Sequence, residues 1–250
     1  MPFTFCHPAI VLPFAKWGKN YLSATGLIIG SMAPDFEYFL KMRLEKVHGH
    51  TFEGIFYFDL PLTLLLAVIF HRYVRDALIK NLPELLQKRL SPYIGYNWFN
   101  KLRKRWYVLI YSALIGIFSH FFWDAFTHTD GYFVERIPAL QGSAEILGVT
   151  MRKADIGQLV SSAFGALFIL AVLVWPFKAE LASQLLKRKI TYWFLVLLIT
   201  SLVLLIRNGS GTGDFIATSI SGGLIGLILA PSIMKRLNKR KEWKKIEHQL

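Results

Sequence analysis

The chain has 250 residues, of which 54% are hydrophobic and 18% are charged. Soluble domains average roughly 45–50% apolar and about 25% charged residues, so this composition argues against an ordinary soluble domain. The mean hydropathy of +0.40, together with several apolar runs of bilayer-spanning length, favours an all-α integral membrane protein. The single cysteine, Cys6, excludes an internal disulfide and a cysteine-rich zinc module.

The charge balance is strongly basic. The formal net charge is +13, from 29 Lys and Arg residues against 16 Asp and Glu residues. Such an excess is typical either of nucleic-acid-binding proteins or of the cytoplasmic loops of membrane proteins. Because this chain is so apolar, we assign the excess to loops and lipid head groups, and we expect the lipid bilayer, not nucleic acid, as its partner.

We expect residues 1–250 to form one membrane domain. Near its start, an apolar stretch at 21–29 leads into a Gly-, Ser- and Pro-containing stretch at 30–35, which is too short and too broken to span and predicts a re-entrant or interfacial element. Five apolar runs follow, each close to the ~20 residues that a helix needs to cross a ~30 Å hydrocarbon core. These five predicted spans are 54–70, 106–126, 156–177, 190–206 and 215–234.

Lysine and arginine are divided unevenly between the two sides of these runs. Segments 71–105, 178–189 and 235–250 contain 20 of the 29 basic residues, and the segments that alternate with them contain the other nine. The positive-inside rule therefore predicts that 71–105 is a basic cytoplasmic loop and 235–250 a basic cytoplasmic tail. Segments 1–53 and 128–155 are then predicted to be non-cytoplasmic.

Ionisable residues cluster at the end of the second run. His120, Asp124 and His128 follow one another at intervals of four residues, so on a helix the three side chains share one face. Imidazole and carboxylate in this arrangement can hold a divalent ion, and Zn²⁺ accepts both nitrogen and oxygen ligands. The alternative interpretation is a set of hydrogen bonds at a helix end.

Further residues of metal-ligand type fall on the same predicted side. His7 precedes Pro8, Asp35 follows a proline, and His48 and His50 come just before the first span. Each has an alternative interpretation as an interfacial, helix-capping or solvated side chain. Since topology brings them all to the end of the second run, the sequence predicts a non-cytoplasmic metal site, with either His48 or His50 contributing.

The sequence leaves the roles of three carboxylates near these residues undecided between two interpretations each. Glu37 and Glu53 are candidates for orienting an imidazole ligand, or for simple solvation at the surface. Asp59 lies inside the first predicted span, where a charged group needs a polar partner or a water-filled cavity. It either borders the site or pairs with a residue of another helix.

Several short motifs resemble those of a known family. They are Pro-Phe-Thr-x-x-His-Pro-Ala at the start, Gly-Ser-Met-Ala-Pro-Asp at 30–35, His-Thr at 50–51 and Gly-Ile-Phe-Ser-His-Phe-Phe-Trp-Asp-Ala-Phe-Thr-His at 116–128. Together they resemble an uncharacterised family of polytopic membrane proteins. Their order is similar to that of the YdjM-like inner-membrane proteins described as metal-dependent hydrolases, and more remotely to that of the zinc-dependent phospholipase C group.

The resemblance implies a ligand set, an activity and a location. The implied metal ligands are His7, Asp35, His50, His120 and Asp124, for one or two zinc ions, and the helix-face argument adds His128. The implied location is a bacterial inner membrane, with the site on its non-cytoplasmic side.

The expected activity is hydrolysis of a phosphoester or ester of a lipid-like substrate. Zinc lowers the pKa of its bound water, and Asp35, Asp124 or Glu53 is expected to take the proton. The alternatives are a structural metal site and an ion or solute carrier. A carrier is disfavoured because the last three spans contain few charges.

Overall fold

The computed structural model describes residues 3–18, 20–146, 148–174, 186–207 and 211–247. These residues are mainly helical, which confirms the predicted all-α class. The α-helices are α1 Pro8–Trp17, α2 Ala24–Gly30, α3 Phe36–Lys41, α4 Leu60–Ile69, α5 Arg75–Asn81, α6 Glu84–Leu90, α7 Trp98–Lys104, α8 Trp106–Thr127, α9 Tyr132–Arg136, α10 Lys153–Val174, α11 Leu186–Arg207 and α12 Thr212–Glu247.

Within the described part of the chain, five helical stretches are long and apolar enough to cross a membrane, as predicted. They are Ile55–Asn81, Trp106–Arg136, Lys153–Val174, Arg188–Arg207 and Thr212–Asn238. The end of the predicted span 156–177, most of the segment 178–189 and the last three residues of the tail 235–250 lie outside the described residues.

The first span extends well beyond residue 70, where the apolar run ends. A π-helical turn, Phe70–Val74, continues the helix into α5. The polar groups there are satisfied locally, because Arg75 forms an ion pair with Asp76 at 2.7 Å and its Nη1 lies 3.0 Å from Nδ1 of His71. Part of the predicted loop 71–105 is therefore helix, which an apolar-run criterion misses.

A short β-hairpin in the segment 128–155 was not predicted. Strands β1 Ser143–Ile146 and β2 Val149–Arg152 pair antiparallel, with Ser143 opposite Arg152 and Ile146 opposite Val149. The turn uses the positive φ of +77° at Gly148, a conformation that glycine adopts without steric strain. Both strands are mostly exposed, so they lack the alternating apolar pattern that identifies a strand in a sequence.

The predicted re-entrant or interfacial stretch contains α2, which packs closely on α8. A Cβ atom at Gly30 would overlap the carbonyl oxygen of Ala113, and one at Gly116 would overlap that of Leu27. The two backbones therefore approach as closely as glycine permits, as in the small-residue interfaces of membrane helices. This approach fixes the position of Ser31, the residue that follows α2, against α8.

Substitution of Gly116 by alanine is expected to destabilise this interface. The added Cβ would meet backbone atoms, including Ser31 N at 2.8 Å, which cannot move aside as a flexible side chain can. Overpacking of this kind costs about 1–3 kcal/mol, so we expect the Tm of the purified protein to fall by roughly 5 °C. The matched control is Gly223→Ala, because a Cβ there meets nothing within 4 Å. Equal Tm values for the two variants would contradict the close packing.

The chain divides into two compact units. Unit 1 comprises Met1–Glu37, Lys46–Ala67 and Trp98–Trp175, and unit 2 comprises Tyr38–Glu45, Val68–Asn97 and Pro176–Leu250. Unit 1 contains α2, α8 and the predicted metal-site residues. In unit 2, α11 and α12 pack through glycines, since Cβ atoms at Gly222 and Gly226 would lie 2.9 Å from Thr200 Cα and 3.0 Å from Val196 O.

Candidate metal centre

The end of α8 brings together the three residues of its predicted polar face. His120 is fully buried, and its Nε2 lies 3.3 Å from Oδ2 of Asp124. The helix ends at His128, whose backbone N–H donates to the carbonyl of Asp124 at 2.9 Å. His128 is the residue after the last one of α8, four residues beyond Asp124, and its Nε2 lies 3.1 Å from Asp124 Oδ2.

Two residues from the first 35 join this group. A turn of 3₁₀-helix, Thr4–Cys6, precedes α1, and the next residue, His7, stacks on His120 with ring centroids 4.0 Å apart. His7 Nε2 also lies 3.3 Å from Asp124 Oδ1. Asp35 accepts a 2.7 Å hydrogen bond from the Thr4 hydroxyl through Oδ2, while its Oδ1 lies 3.7 Å from His120 Nε2.

His50, and not His48, lies beside the two aspartates. His50 Nε2 lies 3.5 Å from Asp35 Oδ1 and 3.7 Å from Asp124 Oδ2, so His50 belongs to the cluster. His48 is exposed, and its Nδ1 lies 2.8 Å from the hydroxyl of Tyr57. The cluster therefore consists of His7, Asp35, His50, His120, Asp124 and His128.

Glu37 holds the turn that presents His50. Its carboxylate is almost fully buried, at 1% exposure, and it accepts backbone hydrogen bonds of 2.8–3.0 Å. The donors are the amides of Val47, His48 and Gly49. Glu37 thus supports the backbone turn that precedes His50, and it is buried and not solvated at the surface.

The other two carboxylates differ in their placement. Glu53 is exposed and is not brought into the cluster, because Gly54 N–H donates to Thr51 Oγ1 in a turn that directs His50 inward and Glu53 outward. Asp59 is fully buried in unit 1. Neither of its carboxylate oxygens has a hydrogen-bond partner among the described residues, and it interacts electrostatically with His50 and His120. Asp59 therefore borders the cluster.

Backbone carbonyls fix the tautomers of the two innermost histidines. His120 Nδ1 lies 2.9 Å from the carbonyl oxygen of Ser31, and His7 Nδ1 lies 3.2 Å from that of Thr4. A carbonyl can only accept, so each Nδ1 carries the hydrogen and each neutral ring has a bare lone pair on Nε2. Both Nε2 atoms face carboxylate oxygens. Either a second proton on the ring or a metal ion between the two groups satisfies such a contact.

The spacing of these atoms suits a shared ion. Two ligand atoms that are each ~2.1 Å from one tetrahedral ion lie ~3.4 Å apart, and the contacts of His50 and His120 with the two aspartates range from 3.3 to 3.7 Å. His120 Nε2 and Asp35 Oδ1 have no hydrogen bond among the described residues. Among the residues that the structure describes, two sets offer three ligand atoms within 4.8 Å of one another, namely His7, Asp35 and His120, and His50, His120 and Asp124. The residues present therefore fit a divalent metal.

The charges of the cluster also favour a cation. Burial acts to lower the pKa of His50, but the carboxylates of Asp124 and Asp35 outweigh it and raise that pKa to about 9. Burial opposes ionisation of Asp35, yet the imidazoles of His120 and His50 hold the pKa of Asp35 below its usual value. Burial and the charge of His120 lower the pKa of His7. Carboxylates that attract a proton in this way attract a metal ion by the same charge.

The cluster is closed on one side and reaches the surface on the other. The side chains of His7, His120 and Asp35 are at most 1% exposed. Those of His50, Asp124 and His128 are 11%, 11% and 15% exposed. The exposed part of this second edge is not the ligand nitrogens, since Nε2 of His50 and Nε2 of His128 are themselves buried.

Replacement of Glu37 by glutamine is expected to weaken metal binding without removing a ligand. The amide has one oxygen in place of two and presents an N–H group to backbone donors, so the turn before His50 loses part of its support. Loss of a group that orients a ligand typically lowers metal affinity 10–100-fold, and we expect a fall in this range in a chelator-competition titration. Glu53→Gln is the matched control, and an equal fall in that variant would contradict the role of Glu37.

These observations define the class of the protein. It is a helical membrane protein with five candidate spans in its described part and a buried histidine–aspartate cluster at the end of the second span. The family model described as Domain of unknown function (DUF4184) matches residues 1–232, and the chain belongs to this family. No curated protein and no solved structure matches the chain. The predicted membership of an uncharacterised membrane family is confirmed, whereas the likeness to YdjM-like hydrolases and to phospholipase C stays a prediction.

Proposed function

We propose that this protein is a membrane-bound, zinc-dependent hydrolase that cleaves a phosphoester or ester bond of a lipid-like substrate. The observation that supports it best is the meeting of imidazole nitrogens and carboxylate oxygens at 3.3–3.7 Å beside a partly exposed edge. A purely structural cluster has no need of such an edge, whereas a catalytic metal site keeps a position open for water or substrate.

Three residues are assigned as ligands. His50, His120 and Asp124 form a set whose ligand atoms lie within 4.8 Å and whose members include the exposed edge. When bound, zinc would lower the pKa of a coordinated water and polarise the scissile phosphoryl or carbonyl group. His7 lies on the far side of Asp124, at 3.3 Å from Oδ1, where it either orients that carboxylate or serves a second ion.

Asp35 is assigned as the group that takes the proton from the attacking water. Its Oδ2 is held by the Thr4 hydroxyl, while its Oδ1 has no hydrogen bond among the described residues and faces the imidazoles of His50 and His120. Asp124 suits this role less, because both of its oxygens already face imidazoles. His128, at the exposed edge, is placed to protonate the leaving group.

The surroundings of the cluster suit a substrate with an apolar tail. The site lies at the end of a spanning helix, where aromatic residues interleave with the ligands: Phe122 is 53% exposed, and Phe126 stacks on Phe133 with centroids 4.1 Å apart. Aromatic side chains are also common at membrane boundaries in general. The bilayer can thus supply the substrate laterally to the partly exposed edge.

We place the site on the non-cytoplasmic side of a bacterial inner membrane, following the distribution of basic residues. Cysteines introduced singly as Asn20→Cys, Asn97→Cys and Gly142→Cys in a Cys6→Ser background test this orientation, since all three positions are exposed. A membrane-impermeant thiol reagent on intact cells is expected to label position 142 but not positions 20 and 97, because the Asn20 carbonyl accepts a hydrogen bond from Arg105 at the start of α8, the end opposite His120. Labelling of position 97 alone would contradict the orientation.

The direct test of the activity is a substrate panel. Detergent-solubilised protein is loaded with zinc and offered phospholipids, lipid pyrophosphates and chromogenic phosphoesters, with and without chelator. Zinc-dependent turnover of at least one class supports the proposal. A protein that is folded and zinc-loaded yet inert towards the whole panel would overturn it in favour of a structural metal site, the alternative that the full burial of His7 and His120 favours.

A further inference from the structure

A cavity with several polar lining residues lies within unit 2, apart from the residues of the metal cluster. Its volume is about 350 Å³, at the lower end of the ~300–1,000 Å³ range of small-ligand pockets. It lies between the end of α5, the start of α11 and the later part of α12. The lining residues are Ala77, Asn81, Arg188, Tyr192, Pro231, Met234, Lys235 and Asn238.

Two buried polar atoms among the lining residues have no partner in the described part of the chain. The Tyr192 side chain is 0% exposed and Asn81 is 3% exposed, and neither the Tyr192 hydroxyl nor Asn81 Oδ1 has a hydrogen bond. Asn81 is otherwise fixed, because its Nδ2 donates to Ala77 O and its own carbonyl accepts from Trp193 Nε1. Native structures rarely leave such groups unsatisfied, so a missing ligand is the simplest account of both.

The charge of this cavity is positive. Arg188 and Lys235 line it, and no described lining residue is acidic. The neighbouring Lys189 is used differently, since its Nζ donates to Leu82 O and to Gln87 Oε1. Lys189 thus ties α11 to the chain near α6, while Arg188 and Lys235 remain for an anion.

We propose that this cavity binds a phosphate group that carries a neighbouring hydroxyl, as a glycerol phosphate does. Arg188, Lys235 and the Tyr192 hydroxyl supply two cations and one donor for the phosphate oxygens. Asn81 Oδ1 supplies the acceptor that a neighbouring hydroxyl needs. A small site that combines two cations with a hydrogen-bond donor and an acceptor suits a polar head group better than an extended apolar chain.

The cavity lies at the ends of three candidate spans, which is where a ligand with a phosphate head group is expected. Asn81 ends the first candidate span, Arg188 begins the fourth, and Asn238 ends the fifth. Span ends lie at the level of lipid head groups, where phosphate is abundant. The source of the phosphate is therefore either an anionic phospholipid head group or a soluble glycerol phosphate, and the two are distinguished by experiment.

The test uses the full-length protein in a neutral detergent, with binding followed by native mass spectrometry and by Trp fluorescence. The probes are a phosphatidylglycerol, a phosphatidylcholine of the same acyl chains, and glycerol 3-phosphate. Tyr192→Phe removes only the unpartnered hydroxyl, and Arg188→Gln removes one exposed cation. Each is expected to weaken binding about tenfold or more, as loss of a hydrogen bond or ion contact to a charged group does.

Arg207→Gln is the matched control, because it removes the same charge from the opposite end of α11. Retention of wild-type binding by this variant, with losses in the other two, supports the proposal. Binding of glycerol 3-phosphate alone assigns the cavity to a soluble ligand, and binding of phosphatidylglycerol alone assigns it to lipid. Equal binding of phosphatidylcholine, an equal loss in Arg207→Gln, or no effect of both cavity variants would overturn it.

Discussion

His120→Ala is expected to reduce zinc binding by at least about 100-fold. The Nε2 atom of His120 belongs to both candidate ligand sets and lies 3.3 Å from Asp124 Oδ2 and 3.7 Å from Asp35 Oδ1. Loss of a supporting group alone commonly lowers metal affinity 10–100-fold, so loss of a shared ligand should exceed that range. Elemental analysis of the purified protein and competition with a chromogenic chelator measure the change.

His120 is fully buried, so its truncation also leaves a cavity that can destabilise the protein. His50→Ala keeps the test decisive, because this side chain is 11% exposed and follows a turn held by other residues. His48→Ala is the matched control, since His48 lies two residues away and faces Tyr57. If the wild-type protein holds no zinc when supplied with it, or if His48→Ala and His50→Ala bind it equally, the proposed centre is wrong.

Asp35→Asn is expected to lower kcat by about 10²–10⁴-fold while zinc remains bound. Asparagine keeps the volume of the side chain and can still accept the hydrogen bond from Thr4, but an amide does not take a proton from water. General-base catalysis typically contributes a factor of this size. The measurement pairs a turnover assay, on whichever substrate the panel identifies, with the zinc content of the same preparation.

Glu53→Gln serves as the control for Asp35, because its carboxylate is exposed and lies in the same segment as His50. Its turnover is expected to equal that of the wild type. Full activity in Asp35→Asn would assign the proton to another residue. Loss of zinc in that variant would instead make Asp35 a ligand, as the sequence resemblance implies.

The spanning helices and much of the candidate site could be predicted from local patterns. Apolar runs of about 20 residues identify spans because a bilayer core demands that length. The spacing of His120, Asp124 and His128 identifies one helix face because the helical repeat is fixed. The distribution of basic residues then suggested that His7, Asp35 and His50 lie on the same side, and the structure brings these residues into one cluster with that face.

What the sequence could not reveal depends on contacts between distant segments. The carbonyl of Ser31 fixes the His120 ring only because Gly30 and Gly116 let α2 approach α8, a contact between residues about 90 positions apart. Glu37 could not be assigned for a similar reason, since its partners are backbone amides that no residue type marks. The β-hairpin was not predicted because its exposed strands lack alternating hydrophobicity.

The three assigned ligands differ in what holds them. His120 and Asp124 are one turn apart on α8, so their spacing does not depend on an ion. His50 instead follows a turn that rests on the backbone hydrogen bonds accepted by Glu37. An incoming ion thus meets two rigid ligands and one hinged ligand. For the proposed metal site, uptake and release of an ion would then depend on the stability of that turn as well as on the coordination itself.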